Sequence, residues 1–197
     1  MKIELLHRKD RIILTTIEII DELGIHGLST REIAKRQGIS EGAIFRHFKT
    51  KNDIILGVLE HFSKYDQDIF HSAKMKGLNP KDAIRFFVDS FATYYENYPA
   101  ITAMTQMYDA LSYEPEFAAE INKIYTERVE FLKQTVEDGQ SKGDFDPSYH
   151  SELLANIING SFREICLSWR MSNHSFSLRD KALAAVDMVI AAFTPKA

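Results

Sequence analysis

Residue types that carry out catalysis or hold metal ions are present in this sequence, but their spacing does not assemble a reactive site. Cys166 is the single cysteine, and the scattered histidines give it no partner base, so a small buried residue is the favoured interpretation. His61, Tyr65 and Asp68 would share one helix face, but a single face of this kind seldom binds a metal. The sequence has no glycine-rich phosphate loop. We therefore expect no catalytic residue, no metal and no cofactor.

The segment from residue 28 to residue 56 carries residue types that bind nucleic acid. Gly42 and Ala43 are small enough to let a helix approach the floor of the DNA major groove. Arg46 and His47 follow them and can contact phosphates or base edges. We expect DNA contacts from the following residues: Thr30, Arg31, Ser40, Glu41, Gly42, Ala43, Phe45, Arg46, His47 and Lys51.

These candidates divide into residues that position the protein and residues that read bases. Thr30, Arg31 and Lys51 lie at predicted helix starts, where they would contact phosphates and carry no sequence information directly. Ala43 and Arg46 lie nearer the groove and are assigned to base edges, or to the boundary between bases and backbone.

Two short helices must hold these side chains in place. Ser29 and Glu32 form a capping-box pattern that begins the first, which ends at Gly38. Ser40 is an N-cap that begins the second, which runs through Phe48. Helices of this length are marginal alone in water, so their apolar residues must pack against neighbouring helices. Two short helices joined by a glycine turn are typical of a helix-turn-helix.

Helical spacing, caps and breakers extend along the whole chain, and no segment alternates apolar and polar residues long enough to predict a strand. The sequence therefore predicts an all-α protein of about nine helices. Their expected ranges are 3–23, 29–38, 40–48, 51–75, 81–97, 99–111, 114–142, 147–171 and 178–193.

Composition limits the class of protein. The chain has 197 residues, of which 45% are hydrophobic and 26% charged, and only nine glycines and five prolines, which argues against an all-β domain. Residues 1–52 hold ten Lys/Arg and seven Asp/Glu, a net charge of +3, whereas residues 53–197 carry −7. This split suits a polyanionic partner for the first quarter, although chance scatter explains it equally well. The N-terminus has no signal-peptide pattern and the longest apolar run is about six residues, so we expect a cytosolic protein without a membrane partner.

Several motifs occur together between Arg8 and Val58. They are Gly24, LSTREIA from Leu28 to Ala34, GIS from Gly38 to Ser40, Gly42, FRHF from Phe45 to Phe48, and Lys51. This stretch resembles the DNA-binding domain of the TetR family of bacterial transcriptional regulators. The resemblance implies a three-helix DNA-binding domain over residues 1–50. It also implies a helical effector-binding and dimerisation domain over residues 51–197.

Two positions depart from the pattern of that family. Phe45 stands where tyrosine is most frequent, so a hydroxyl contact to phosphate is lost. Glu41 stands where lysine or another small or basic residue is frequent. Its carboxylate either accepts a hydrogen bond from a cytosine amino group or is a solvent-exposed first-turn residue favoured by the helix dipole.

The remainder of the chain offers candidates for an effector pocket and a dimer interface. Tyrosine and methionine suit an adaptable apolar pocket, with core packing as the alternative. The pocket candidates are Phe86, Tyr94, Met104, Met107, Tyr108 and Trp169. Small and apolar residues along the last two helices suit a two-fold four-helix interface, with internal packing as the alternative. The interface candidates are Leu153, Ile157, Gly160, Leu167, Ala182, Ala185, Val189 and Ala192.

The resemblance and the residues together predict a dimeric, ligand-responsive transcriptional regulator, most simply a repressor released from a palindromic operator by a small apolar or amphipathic effector. One alternative is a DNA-binding dimer without a small-molecule effector, whose body serves only dimerisation or protein contact. A second is an all-helical enzyme with a coincidental N-terminal segment, which the missing catalytic constellation argues against.

Overall fold

The computed structural model describes residues 7–195 and is all-helical over that range, which confirms the predicted fold class. The described residues form ten α-helices and one 3-10 turn. The helices are α1 (Arg8–Gly27), α2 (Thr30–Gln37), α3 (Glu41–Phe45), α4 (Lys51–Met75), α5 (Pro80–Asn97), α6 (Thr102–Gln106), α7 (Tyr108–Ser112), α8 (Pro115–Lys142), α9 (Ser151–Met171) and α10 (Leu178–Phe193), with the 3-10 turn at Pro99–Ile101.

The segment expected as one helix over 99–111 is divided. The 3-10 turn comes first, and α6 and α7 then meet at Met107, whose backbone angles of φ −98° and ψ −3° lie outside the regular helix. The described residues therefore contain ten α-helices where about nine were expected. Nothing between Thr102 and Ser112 marks the break in sequence, since that stretch contains neither glycine nor proline.

Other helix ends differ by a few residues. The helix expected from residue 147 begins at Ser151, because Asp146 accepts a hydrogen bond from the Ser148 amide at 2.8 Å and forms a turn first. Positions 3–6 of the first expected helix lie outside the described residues, and α1 continues to Gly27 through a bend at Gly24, whose φ is +69°.

The chain forms two compact units. The first, called here the head unit, comprises Met1–Lys64 and Pro99–Asn122, and the second, the body unit, comprises Tyr65–Tyr98 and Lys123–Ala197. The helices α4 and α8 each continue from one unit into the other. The domain boundary predicted after residue 50 stays a prediction, and α4 begins directly after it.

Each unit has its own apolar core. In the head unit α1 packs on α2, on the 3-10 turn and on α6, and it buries Ile12, Ile17 and Ile19. In the body unit α10 packs on α5 and α9. Phe87 and Phe131 are both buried there, with ring centroids 5.8 Å apart.

Candidate nucleic-acid interface

The helix α2 is fixed against α1 by packing and by polar contacts. Ile33 is fully buried on its inner face. The Gln37 side-chain amide donates to the Arg11 carbonyl at 3.2 Å, and the Arg36 guanidinium lies 2.8 Å from the Glu22 carboxylate. These tertiary contacts hold in place a helix of eight residues, which would be marginal alone.

The start of α2 forms one half of the expected capping box. The Ser29 hydroxyl accepts a hydrogen bond from the Glu32 amide at 3.1 Å, which confirms the N-cap. The Glu32 carboxylate accepts from Arg36 Nε at 2.9 Å. This hydrogen bond from Arg36 is the main reason that the pKa of Glu32 lies below its ordinary value. Its negative charge is therefore matched by a cation within the same helix.

A left-handed residue sets the turn between α2 and α3. Gly38 has φ +63° and ψ +36°, and no atom would meet a Cβ placed there within 4 Å. The backbone conformation, not crowding, explains the glycine. The Ile39 amide then donates to the Ala34 carbonyl at 3.0 Å, which closes the end of α2.

The helix α3 presents a mixed outer surface. Ser40 caps it by accepting from the Ala43 amide at 3.3 Å, which confirms the second N-cap. Ile44 and Phe48 are buried, as expected. The residues that remain exposed are Glu41, Gly42, Phe45, Arg46 and His47.

The expected orientation of Ala43 was wrong. Its side chain is only 7% exposed and belongs to the buried core together with Ile44. It therefore presents little surface to a bound duplex. Gly42 is the small residue that stays open, since the nearest atom to a Cβ placed there is the Ser40 hydroxyl at 3.8 Å.

Two of the expected DNA contacts touch each other. The Thr30 hydroxyl donates to Oε2 of Glu41 at 2.6 Å. Thr30 is the first residue of α2 and Glu41 is the first residue of α3, so this hydrogen bond joins the starts of the two helices.

The start of α4 is also capped. The Thr50 amide donates to the Asp53 carboxylate at 2.9 Å, and the Asp53 amide donates to the Thr50 hydroxyl at 3.1 Å, which forms a reciprocal capping box. Lys51 follows as the first residue of the helix and is half-buried. The cap thus fixes the backbone from which this lysine extends.

Sequence reasoning missed two further lysines at this surface. Lys49 is exposed and borders a shallow groove with His47 and Lys9. The Lys9 ammonium lies 5.6 Å from the centroid of the Phe48 ring. Their positive charge could have indicated them, because both lysines flank the motif and phosphates attract positive charge.

The expected pocket residues do not form one group. Met104, Met107 and Tyr108 belong to the head unit. Met104 is fully buried, Tyr108 packs edge-on against Phe62 at 6.5 Å, and Met107 borders an open cleft that also includes Lys51. Core packing accounts for the first two of these positions.

The other three expected pocket residues lie in the body unit. Tyr94 stacks on Tyr65 with ring centroids 3.9 Å apart, and burial raises the pKa of Tyr94 to about 12. Phe86 borders an open groove. Trp169 is buried and donates its indole N–H to the Phe176 carbonyl at 2.9 Å, which makes it a structural residue.

A buried ion pair lies near these rings and was not predicted. Arg128 Nε and one of its terminal nitrogens donate to the two oxygens of Asp66 at 2.5 and 2.8 Å. The guanidinium carbon lies 4.5 Å from the centroid of the Phe91 ring. Burial raises the pKa of Asp66, and the charge of Arg128 opposes that rise. The pair joins α4 to α8 inside the body unit.

The expected interface residues of α9 form an exposed apolar stripe. Leu153 is 63% exposed and Ile157 45%, and both Gly160 and Leu167 are exposed on the same face. Met171 extends this stripe and was not predicted. The positions of the stripe are separated by three, four or seven residues, which places them on one side of the helix, and the exposed Glu164 lies in the same register.

The expected interface residues of α10 are divided between surface and core. Ala192 is exposed, while Ala185 and Val189 are half-buried. Ala182 is 2% exposed, because α10 turns this side chain into the body core. Met188 is exposed beside them and was not predicted.

Comparisons with known proteins match both parts of the chain. The family model described as bacterial regulatory proteins of the tetR family matches residues 12–58, and the model described as the C-terminal region of YsiA-like protein matches residues 60–192. The chain belongs to the TetR family. The resemblance stated from the N-terminal motifs is thereby confirmed and extends along most of the sequence.

Relatives in the TetR family cover most of the chain at low identity. The fatty acid metabolism regulator protein of Bacillus subtilis is 21% identical over 91% of this chain and 92% of its own length. The transcriptional regulator QacR of Staphylococcus aureus is 23% identical over 77% of this chain and 82% of its own length.

Solved structures of TetR-family regulators share the fold. The structure of FadR from Bacillus subtilis in complex with stearoyl-CoA has a TM-score of 0.81 and 21% identity, and covers 92% of this chain and 97% of that one. The ketosteroid regulator KstR2 of Mycobacterium tuberculosis has a TM-score of 0.81 and 17% identity, and covers 98% of each chain.

Family membership settles the general class of protein. The chain is a DNA-binding transcriptional regulator of the TetR family and is not an enzyme, as its relatives are regulators. Over residues 7–195, no helix is long and apolar enough to cross a bilayer. The same described residues contain no cluster of three or more metal-ligating side chains.

Proposed function

We propose that this TetR-family protein is a dimeric repressor that binds a palindromic operator in the cytoplasm and is released by an amphipathic effector with a long hydrocarbon chain. The surface of α2 and α3 carries this proposal. Arg31, Arg46 and His47 are exposed there beside the open Gly42, while Ile33 and Ile44 anchor the two helices from beneath. This arrangement suits a helix lying in the major groove between two phosphate contacts.

The α9 stripe supports the dimer. Large apolar side chains that share one exposed face seldom stay in water, and Leu153, Ile157 and Met171 share such a face of α9. A two-fold axis through this face would pair each stripe with its own copy, as an isologous interface requires. Two copies of the head unit would then read two copies of the same base sequence.

The effector chemistry is inferred from relatives. The FadR relative is described in complex with stearoyl-CoA, and the Bacillus subtilis relative is named for fatty acid metabolism. In the body unit Phe91 packs against Phe162 and Tyr94 packs against Tyr95, so an apolar chain would have to separate these rings to bind among them. Arg128 lies over the Phe91 ring and its charge is already paired with Asp66, so the choice of effector rests on the relatives. An acyl thioester of long chain length is therefore the effector class we favour.

Release requires that the effector prefer one conformation of the protein. A ligand with equal affinity for the DNA-bound and the free form would leave the operator occupied, whatever its affinity. The helices α4 and α8 run continuously through both compact units, and we propose that they transmit the preference.

Titration of the protein on a selected operator tests the effector. Stearoyl-CoA at saturating, sub-micellar concentration should weaken operator binding by about tenfold or more, within the range of common allosteric couplings. Free coenzyme A and a short-chain acyl-CoA are the matched controls and should have little effect. Equal operator affinity with and without stearoyl-CoA would reject this effector class. A further screen without any active compound would favour the alternative of a regulator that needs no small molecule.

A further inference from the structure

The hydrogen bond between Thr30 and Glu41 joins two side chains whose backbones are both held by helix caps. Ser29 caps α2 immediately before Thr30, and Ser40 caps α3 immediately before Glu41. The 2.6 Å contact therefore spans two fixed points. The Glu41 side chain, which is exposed and would otherwise sample several rotamers, is oriented before DNA arrives.

The single proton of the Thr30 hydroxyl limits the hydrogen bonds that this residue can donate. A threonine hydroxyl has one proton, and here it is donated to Oε2 of Glu41. The same hydroxyl cannot donate to a phosphate at the same time. Oε1 of Glu41 keeps its full capacity to accept a hydrogen bond from another donor.

A carboxylate on a DNA-reading surface needs a donor from the DNA. Phosphates repel it, and so do the acceptor atoms that guanine and thymine present in the major groove. The two amino donors in that groove belong to cytosine and adenine. The adenine amino group lies beside the acceptor N7, whereas the cytosine amino group lies beside a carbon, so a carboxylate is better matched to cytosine.

We propose that Glu41 reads a cytosine at one position of each half-site and that Thr30 is its positioning residue. This inference rests on the DNA-binding part of the proposed function and adds the base and the residue that select it. Thr30, which was expected to contact a phosphate, then has the different role of orienting Glu41. Arg31, which is exposed next to it, is left as the phosphate contact at the start of α2.

The test begins with the unmodified full-length protein and a random duplex pool. The selected operator is then resynthesised with each of the four base pairs at every position of both half-sites, and binding is titrated on each duplex and on a scrambled one. The variants are Glu41→Gln, which removes the charge at constant shape, and Thr30→Val, which removes the hydroxyl at constant shape. Thr30→Ser keeps the hydroxyl and is the matched control.

Glu41→Gln should lower the preference for cytosine at one symmetric position by about tenfold, the scale of a good base contact. Its binding to scrambled DNA should be unchanged or tighter, because a negative charge has been removed. Thr30→Val should lower the same preference, by about threefold, and leave the other positions alone. Thr30→Ser should retain the preference within about twofold.

Two outcomes overturn the inference while leaving DNA binding intact. In the first, Glu41→Gln selects the same operator with undiminished preference at every position. In the second, Thr30→Val weakens the operator and the scrambled duplex equally, which identifies Thr30 as a phosphate contact. If the unmodified protein selects no sequence at all, the proposed function fails as well, so the two failures are distinguishable. Thermal unfolding of each variant verifies that the head unit is folded.

Discussion

Arg46 and Lys51 carry the same charge but have different positions in the head unit. Arg46 is the C-cap residue of α3 and is exposed at the end of the reading helix. Lys51 opens α4, where the Thr50–Asp53 capping box fixes its backbone. This difference in placement leads to different expectations for DNA binding.

Replacing Lys51 with alanine should weaken binding to operator and random DNA alike. Each phosphate contact that is lost should flatten the dependence of log affinity on log salt by about one unit per half-site. Titrations at several salt concentrations on the selected operator and on a scrambled duplex measure both effects.

Replacing Arg46 with alanine should affect the operator more than the scrambled duplex. A base contact is worth about 1–3 kcal/mol, and its loss should relax the preference at one base pair per half-site. The same titrations measure it, with Lys51→Ala as the comparison. An equal loss on both duplexes would show that Arg46 binds phosphate, and base reading would then fall to Glu41 and His47.

Cys166 gives a prediction about pH. Burial raises the pKa of its thiol to about 12, and the charge of Arg128 partly opposes this rise. An unfolded thiol ionises from about pH 8.5, so the unfolded state loses its proton first. The stabilisation is complete below about pH 8.5 and declines as the pH rises toward about 12, by up to about 1.4 kcal/mol per pH unit.

Urea unfolding at pH 8, 9.5 and 10.5 checks this expectation, with Cys166→Ala as the matched variant. The variant lacks the thiol, so the free energy of unfolding of the unmodified protein should decrease with pH relative to that of the variant. A constant difference between the two proteins across this range would contradict the burial argument.

The helix α9 carries apolar residues on its outer face as well as on its inner face. Its inner face buries Leu154, Ile158 and Phe162 in the body core. Its outer face exposes Leu153 and Ile157. The helix therefore has more apolar residues than the body core buries, and an interface on the outer face would explain the excess.

Ile157→Glu should dissociate the dimer, because the interface would bury a charge without a partner. Sedimentation of the unmodified protein should give a dimer, and that of the variant a monomer at micromolar concentration. Met75→Glu is the control, since Met75 is 73% exposed at the end of α4 and is equally apolar. A monomeric unmodified protein would reject the dimer, and an unaltered dimer in Ile157→Glu would place the interface on another face.

The proposed two-fold dimer determines the symmetry of the operator. Random-pool selection followed by footprinting should give a palindrome whose half-sites are centred about one helical turn apart, about 34–36 Å, or a multiple of it. The physical reason is that two identical head units related by a two-fold axis must read two inverted copies of one sequence. A selected site with a single, unrepeated recognition sequence would contradict the dimer.

The fold class, the N-caps of α2 and α3 and the family could all be recognised from local sequence patterns. Ser29, Ser40 and Gly38 are local signals, because a cap or a left-handed turn depends on residues adjacent in the chain. Composition and periodicity likewise act locally, and so an all-α protein could be recognised without coordinates.

Which side chains face outward, and which of them contact each other, depends on helix packing. Ala43 is buried with Ile44, although it was expected on the outer face of α3. Asp66 and Arg128 are 62 residues apart, and Thr30 and Glu41 lie on different helices. Contacts of this kind depend on how helices pack, and no local pattern encodes them. The division of the expected pocket residues between two compact units has the same cause.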